Sequence, residues 1–347
     1  MKRRTTIYEI ADKLDVSPST VNRALNGSIQ VRPELKELIR KTADEMGYRY
    51  NKVAGSLSRE AVRITAVLYN AVDEYSAQIR NGMLGAFEKL TDNNLKGQIV
   101  SLPRESSAED YYAAVKEAAA QGADGLVLLP HTFSQEMKDL IDELAAQEIK
   151  TGIVVSDVPD SRRVVSVRRN GELCGGISAE LLARFTGPGK KVAVLTPSRM
   201  GVVHNESVQS FLRTAKANQL DVVGVYEHFD DPEKAGLFAE SLFSEHPDLN
   251  GIYFNSASAY QFCRKLTQLG YNGKIRLAVM ELMPEIREYV LNGTVDFAVF
   301  CNPYLQGKKV VECLYKSIAE HRDYKSGNIL IEPHVVMKSN IDYYMNR

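Results

Sequence analysis

Residues 6–26 decide the reading: Thr6-Ile7-Tyr8-Glu9-Ile10-Ala11-Asp12-Lys13-Leu14-Asp15-Val16-Ser17-Pro18-Ser19-Thr20-Val21-Asn22-Arg23-Ala24-Leu25-Asn26. Thr6 with Glu9 is a capping box, so a helix starts at Thr6. Ile7, Ile10, Ala11 and Leu14 repeat at helical spacing and form its inner face. Asp15 sits in the turn, where a left-handed backbone is tolerable. Ser17 is a good N-cap and Pro18 a good first residue for a second helix. Val21 and Leu25 bury one face of it. Ser19, Thr20, Asn22, Arg23 and Asn26 stay polar and outward. Two short helices with a hydrogen-bonding outer face on the second fit a helix-turn-helix better than a generic helical hairpin. Pro33 opens a third helix, with Leu35, Leu38, Ile39, Thr42 and Met46 as its inner stripe and Gly47 as its end. Three helices make a minimal core that holds the second one rigid.

Four blocks then carry a resemblance. They are Thr6–Ala11, Val16–Gly27, Met46-Gly47-Tyr48, and Asn51-Lys52-Val53-Ala54-Gly55-Ser56-Leu57. In order and spacing the chain resembles the LacI/GalR family of transcriptional regulators, and more weakly so over the remaining residues. The resemblance implies that the second helix lies in the major groove. It implies that 51–58 is a hinge that becomes helical on operator DNA, with Leu57 levered into the minor groove. The candidate DNA contacts are thus Thr6, Tyr8, Ser17, Pro18, Ser19, Thr20, Asn22, Arg23 and Asn26, then Tyr48, Asn51, Lys52, Ala54 and Leu57. Two departures stand out: Tyr50 replaces the usual Pro before the hinge, and Asp15 replaces the usual turn Gly.

A chain of 347 residues suggests two or three domains. Its 44% hydrophobic and 25% charged residues suit a soluble globular protein. The net charge of −1 hides an asymmetry: residues 1–60 hold 12 basic and 8 acidic residues, which leaves 31 and 36 for the rest. A basic end on an acidic body places the attraction for phosphates at the N-terminus. No apolar run is long enough to span a membrane, and Met1-Lys2-Arg3-Arg4 does not open a secretory signal. A cytoplasmic location is expected. Cys174, Cys263, Cys301 and Cys313 lack metal spacing and read as reduced thiols. No Walker loop, nucleophile elbow or H-E-x-x-H is present, so neither enzyme chemistry nor a cofactor or metal is expected.

From residue 61 apolar runs alternate with amphipathic helices. Strands are expected at 63–69, 98–102, 125–129, 151–155, 164–167, 191–195, 222–226, 251–254, 276–279 and 296–300. The alternation argues for parallel sheets with helices on both faces. Ten strands are better held by two doubly wound lobes than by one. The expected fold is an all-α helix-turn-helix domain (1–50), a hinge (51–60), then an α/β two-lobed, periplasmic-binding-protein-like domain (61–347) with doubly wound parallel sheets. The resemblance implies three crossings between lobes, expected near 157–162, 292–295 and 322–325. Lobe 1 is then about 61–158 with 293–322, and lobe 2 about 162–292 with 325–347.

Open parallel sheets bind ligands beyond the carboxyl ends of their strands. The residues there are Asn70, Asp73, Glu74, Tyr75, His131, Phe133, Asp157, Arg168, Arg169, residues 197–205 with His204 and Asn205, then Asn255, Ser256, Glu281 and Asn302. Such loop residues suit polyol hydroxyls, and equally suit water. Sugar-binding members of the family carry an Asp near Arg168, an Arg at Ser207, Asp at Ser256 and at Glu281, and a Gln near Cys301. Only Pro303 to Gly307 keeps the family pattern here. The candidate effector contacts are Asn70, Asp73, Tyr75, His131, Phe133, Arg168, His204, Asn205, Ser207, Asn255, Ser256, Glu281 and Asn302. An Arg at 168 favours an anion such as a sugar acid or sugar phosphate, unless it turns outward to pair with an acid. The function expected is a homodimeric regulator on a pseudo-palindromic operator, a repressor by family habit, modulated by a sugar or sugar derivative. The alternatives are a degenerate pocket under control of a protein partner, and an activator.

Overall fold

The structure is a computed structural model. It describes residues 5–25, 31–46, 48, 61–70, 72–130, 134–325 and 327–345. Asn26, Asn51, Lys52, Ala54, Leu57, His131 and Phe133 lie outside the described residues, as do the side chains of Asn22 and Asp73. The chain divides into two compact units, Met1–Glu60 with Asp92–Asn94, and Ala61–Thr91 with Leu95–Arg347.

Among the described residues the N-terminal unit holds three helices: α1 (Ile7–Leu14), α2 (Pro18–Leu25) and α3 (Pro33–Glu45). The Thr6 backbone N–H donates to Glu9 Oε2 at 2.8 Å, and the Glu9 N–H donates to Thr6 Oγ1 at 3.4 Å. This reciprocal pair starts α1 by satisfying donors that the helix leaves open. Asp15 ends it in a left-handed conformation, φ 50°. Ser17 Oγ accepts from the Thr20 N–H at 3.1 Å and starts α2. The core is Ile10, Ala11, Val21, Ala24, Val31, Ile39 and Ala43. Leu38 departs from the expected stripe. It is 50% exposed, and Ala43, one position off the stripe, is buried instead. A small residue there lets α3 approach α1 and α2, and Leu38 is turned to the opposite side.

The second unit contains two six-stranded sheets. The first has the order β11-β5-β4-β3-β1-β2 and the second β12-β10-β9-β8-β6-β7. In chain order the strands are β1 (Val62–Tyr69), β2 (Leu95–Leu102), β3 (Gly125–Leu129), β4 (Lys150–Val155), β5 (Val165–Arg169), β6 (Lys191–Thr196), β7 (Asp221–Glu227), β8 (Leu249–Phe254), β9 (Arg276–Met280), β10 (Phe297–Phe300), β11 (Asn328–Ile331) and β12 (His334–Val336). The strand pairs are parallel except β10 with β12. Alternate residues of a strand feed opposite faces. In β1, Ile64, Ala66 and Leu68 enter one cluster while Val67 enters another. In β6, Val192 and Val194 separate in the same way from Ala193 and Leu195. Burial on both faces is why the strands read as apolar runs.

All three expected crossings lie elsewhere. β5 pairs with β4, so the first crossing follows Arg169 rather than falling at 157–162. β10 pairs with β9, so the second follows Phe300 rather than falling at 292–295. β11 belongs to the first sheet and β12 to the second, so the third falls at 332–333 rather than 322–325. The reason is common to the three. Each time, the chain completes one more strand in its sheet before leaving. A turn inside a lobe and a link between lobes have the same polar composition. Segment 157–162 is indeed held in the first lobe, where the Arg162 N–H donates to Asp142 Oδ1 at 2.6 Å. β11 and β12, of four and three residues, were too short to read from the pattern.

A glycine lets two helices meet in each lobe. A Cβ on Gly307 would lie 2.0 Å from the Ile79 carbonyl oxygen, and one on Gly175 would lie 1.9 Å from that of Ser207. Neither backbone contact can yield to a side-chain rotation. Gly175→Ala should therefore lose about 1–3 kcal/mol in a denaturant melt. Gly236→Ala, at a helical glycine with open space around it, should be neutral or stabilising by about 0.5–1 kcal/mol. Equal effects at the two positions would refute the close-packing role.

Candidate interlobe site and DNA-reading face

In the N-terminal unit, Ser17, Ser19 and Arg23 on and beside α2 are exposed, and Pro18 and Thr20 half-exposed. Ser17 Oγ lies 2.7 Å from Ser19 Oγ and 2.8 Å from Thr20 Oγ1, so the hydroxyls brace one another on the outer face. Tyr8 is 65% exposed. Thr6 spends its hydroxyl on the helix cap, and Tyr48 packs against the three-helix core. Arg23 is the cation on this face of α2.

In the second unit the strand ends of the two sheets face each other. β5 ends in Arg168 and Arg169, both buried. Arg168 Nη1 and Nη2 donate to Glu206 at 2.6 and 2.9 Å. Glu206 is on the helix Val202–Ala217 of the second lobe, so this fork ties the lobes together. Glu206 thereby compensates the guanidinium's charge, and Nε is left buried without a partner. Of the two alternatives set out for Arg168, the structure has it paired with an acid, though buried rather than turned outward.

Arg169 is a second buried cation between the lobes. Its Nη2 donates to Asn255 Oδ1 at 3.1 Å, from the first lobe to the second. Asn255 follows β8 and is fully buried. The Tyr253 hydroxyl donates to the same oxygen at 3.0 Å, and Asn255 Nδ2 donates to Thr196 Oγ1 and to the His204 carbonyl, each at 3.2 Å. Ser207 Oγ lies 2.7 Å from the Tyr253 hydroxyl. Since Tyr253 donates to Asn255, Ser207 donates to Tyr253. Ser207 is thus a fully buried prop for the Tyr253 hydroxyl.

Glu281 follows β9 with φ 65°, a conformation that costs a non-glycine residue of the order of 1 kcal/mol or more. Its Oε2 accepts from the Cys301 N–H at 3.1 Å, while Oε1 is buried without a partner. Burial pushes its pKa up to about 7, against the opposing pull of Arg169. Tyr75 is beside Glu281, Arg169 and Gln306, and burial raises its phenol well above the usual value. Gln306 Nε2 donates to the Cys301 carbonyl at 3.1 Å, and its Oε1 has no partner. His204 is pushed well below the usual range by desolvation and by Arg169, and stays neutral.

The other expected contacts scatter. Asn302 Oδ1 accepts from the Leu305 N–H at 2.9 Å and caps the helix Pro303–Ala319, so it is a helix cap at the second crossing. Asn205 is half-buried outside the network. Ser256 Oγ donates to Asp230 Oδ1 at 2.7 Å, as does Ser258 at 3.0 Å. Asp230 and Asn70 help line a cavity of about 490 Å³ between the lobes, with Glu74, Ser101, Arg104 and Glu105. Behind Asp230, His228 stacks on Phe254, and burial lowers its pKa to about 4. Sequence reasoning missed Tyr253, Gln306 and Asp230 as site residues. Tyr253 is inside a strand, Gln306 inside a helix, and Asp230 in a loop rich in other acids. Among the described residues no group of three His, Cys, Asp or Glu side chains could hold a metal ion. The arrangement can bind and orient polar groups.

Two lobes with facing strand ends and three crossings define a periplasmic-binding-protein-like domain, here preceded by a helix-turn-helix. The chain belongs to the periplasmic binding protein domain family, matched over residues 64–321, and residues 6–51 match the lacI family of bacterial regulatory proteins. It is similar to catabolite control protein A of Staphylococcus xylosus, 26% identical over 148 residues, which is 42% of this chain and 44% of that protein. The chain thus spans less than half the length of the curated relatives it matches. Among solved structures it is similar to a glucose-galactose binding protein from Geobacillus stearothermophilus, with a TM-score of 0.74, 23% identity, and coverage of 81% of this chain and 99% of that one. It is also similar to a transporter solute-binding protein from Agrobacterium vitis with bound D-fucose, with a TM-score of 0.75, 21% identity, and coverage of 81% and 97%.

The raised pKa of Glu281 has a stability consequence with a definite sign. A proton held more tightly in the fold stabilises below pH 4.5, and that contribution is lost as pH rises through about 7. Glu281→Gln should therefore gain stability relative to the parent between pH 5 and 8, by roughly 3 kcal/mol at full ionisation. Paired melts across that range read it directly. A constant difference would show that Glu281 ionises freely in the fold.

Proposed function

We propose that this chain is a cytoplasmic, non-catalytic transcriptional regulator, a repressor, that binds a pseudo-palindromic operator as a homodimer and responds to a small polar ligand between its lobes. The observation that carries this reading is Arg169 reaching Asn255 across the lobes, in a chain that begins with an exposed, polar recognition helix. The family matches support it, as do the relatives named for catabolite control and for sugar binding. The ligand class is a sugar or sugar derivative, met by Arg169, Asn255, Glu281 and Tyr75 at depth and by Asn70 and Asp230 nearer the mouth. Residues 51–58 act as the hinge, with Asn51, Lys52 and Ala54 on the DNA and Leu57 as a wedge in the minor groove.

A second reading has a specific observation in its favour. Arg169, Asn255, Tyr253 and Ser207 are bonded to one another and buried. Such a self-satisfied ring suits a regulator whose cleft has become structural and whose control comes from a protein partner. Thermal shift across sugars, sugar acids and sugar phosphates separates the two. A saturable rise with any of them supports the ligand reading.

Selection of bound sequences from random duplexes with the full chain should return a two-fold site. On that site Arg23→Ala should lose about 1–3 kcal/mol, and on random DNA much less. Equal losses would reduce Arg23 to a phosphate contact. The two-fold symmetry of the site should be matched by the protein. Removing residues 1–60 should leave a dimer by light scattering that no longer binds DNA, and a monomer would contradict the dimer contact assigned to the body.

A further inference from the structure

A second cavity of about 490 Å³ lies at the opposite edge of the first sheet from the cleft. Lys150 begins β4, Arg163 lies two residues before β5, and Lys325 is in the loop that leads into β11. These are the amino ends of the strands, whereas the cleft uses the carboxyl ends. Lys150, Arg163, Arg322 and Lys325 line this cavity against one acid, Asp323.

Two of the four cations are built into the fold. Arg163 Nε and Nη2 are held by Asp157, and Nη2 also donates to Asn328 Oδ1 at 3.0 Å. Its side chain is only 11% exposed. Nη1 is left over from that clamp. A Cβ on Gly327 would come within 2.7 Å of it, so the glycine makes room for this donor. Lys150 is half-buried, and its partners are neutral: the Ser317 carbonyl at 2.6 Å and Ser317 Oγ at 3.2 Å. Among the described residues no carboxylate pairs with it, and burial lowers its pKa. These two acceptors, at the end of the helix Pro303–Ala319, take two of its three donors. The remaining charge stays uncompensated in a partly dry place, a cost that an anion would relieve. Arg322 and Lys325 are exposed at the rim, as groups that close over a ligand would be.

We infer that this cavity is an anion site for the phosphate group of a small molecule, distinct from the interlobe cleft. A fixed guanidinium donor, an ammonium and two exposed rim cations match the several acceptor oxygens and the double charge of a phosphate. The site does not depend on the reading of the cleft.

Isothermal titration of the full chain at constant ionic strength tests it, with inorganic phosphate in one arm and glycerol phosphate in the other. Saturable binding is expected in at least one arm, and which arm is tighter tells a bare ion from an ester. Lys150→Met should weaken it about tenfold or more, as should the exposed pair Arg322→Gln with Lys325→Gln, which leaves the buried packing intact. Glu281→Ala, in the cleft, should leave it unchanged. Binding lost in Glu281→Ala but kept in the rim variant would place the phosphate in the cleft and overturn the proposal. No saturable heat in either arm, or heat that vanishes when salt is matched, would overturn it as well.

Discussion

A guanidinium buried between two lobes sets the terms for the second unit. Arg169 ends a strand of the first sheet and meets Asn255 at the end of a strand in the second. Burying such a charge is costly unless its donors are matched. The ring of Asn255, Tyr253, Thr196 and Ser207 exists to orient that one acceptor. Glu281, close enough for Arg169 to lower its pKa, has that carboxyl raised by burial to about 7, so the pair is poised rather than locked. Arg168, one residue earlier, forks onto Glu206 and holds the same two lobes at the hinge.

These contacts sit where the chain changes lobe. The first crossing follows Arg169 and the second begins at Cys301, whose N–H donates to Glu281 and whose carbonyl accepts from Gln306. Groups that would recognise a ligand are therefore bonded to the segments about which the lobes turn. A ligand that exchanges its own hydrogen bonds for those of Arg169 or Glu281 acts on the hinge without any longer path. That is the physical basis for coupling an occupied cleft to a change of lobe angle, with 1–3 kcal/mol as the typical scale.

How much of this was legible in the sequence depends on how local the information is. The capping box at Thr6 and Glu9, the left-handed turn at Asp15 and the start of α2 are encoded within four residues of where they act. They could be read directly. The two-lobed, doubly wound architecture was legible because strands buried on both faces read as apolar runs. The crossings were not, because which sheet a strand joins is decided by partners far along the chain, as β11 with β5 illustrates. Arg168 and Arg169 show the finest limit. Both lie in a strand buried on both faces, so no polar-apolar alternation says which guanidinium points to the cleft and which to Glu206. Leu38 shows the same limit in a helix, where Ala43 displaces a larger residue from the core.

The central claim is that the cleft governs the grip on DNA from within the other compact unit. Fluorescence anisotropy on the selected operator, comparing the parent chain with Arg169→Met, tests it most directly. The account predicts a change in operator affinity of about fivefold or more, with binding to random duplex unaltered and the fold intact by circular dichroism. Identical affinities on the operator, in a variant that folds and dimerises normally, would contradict it.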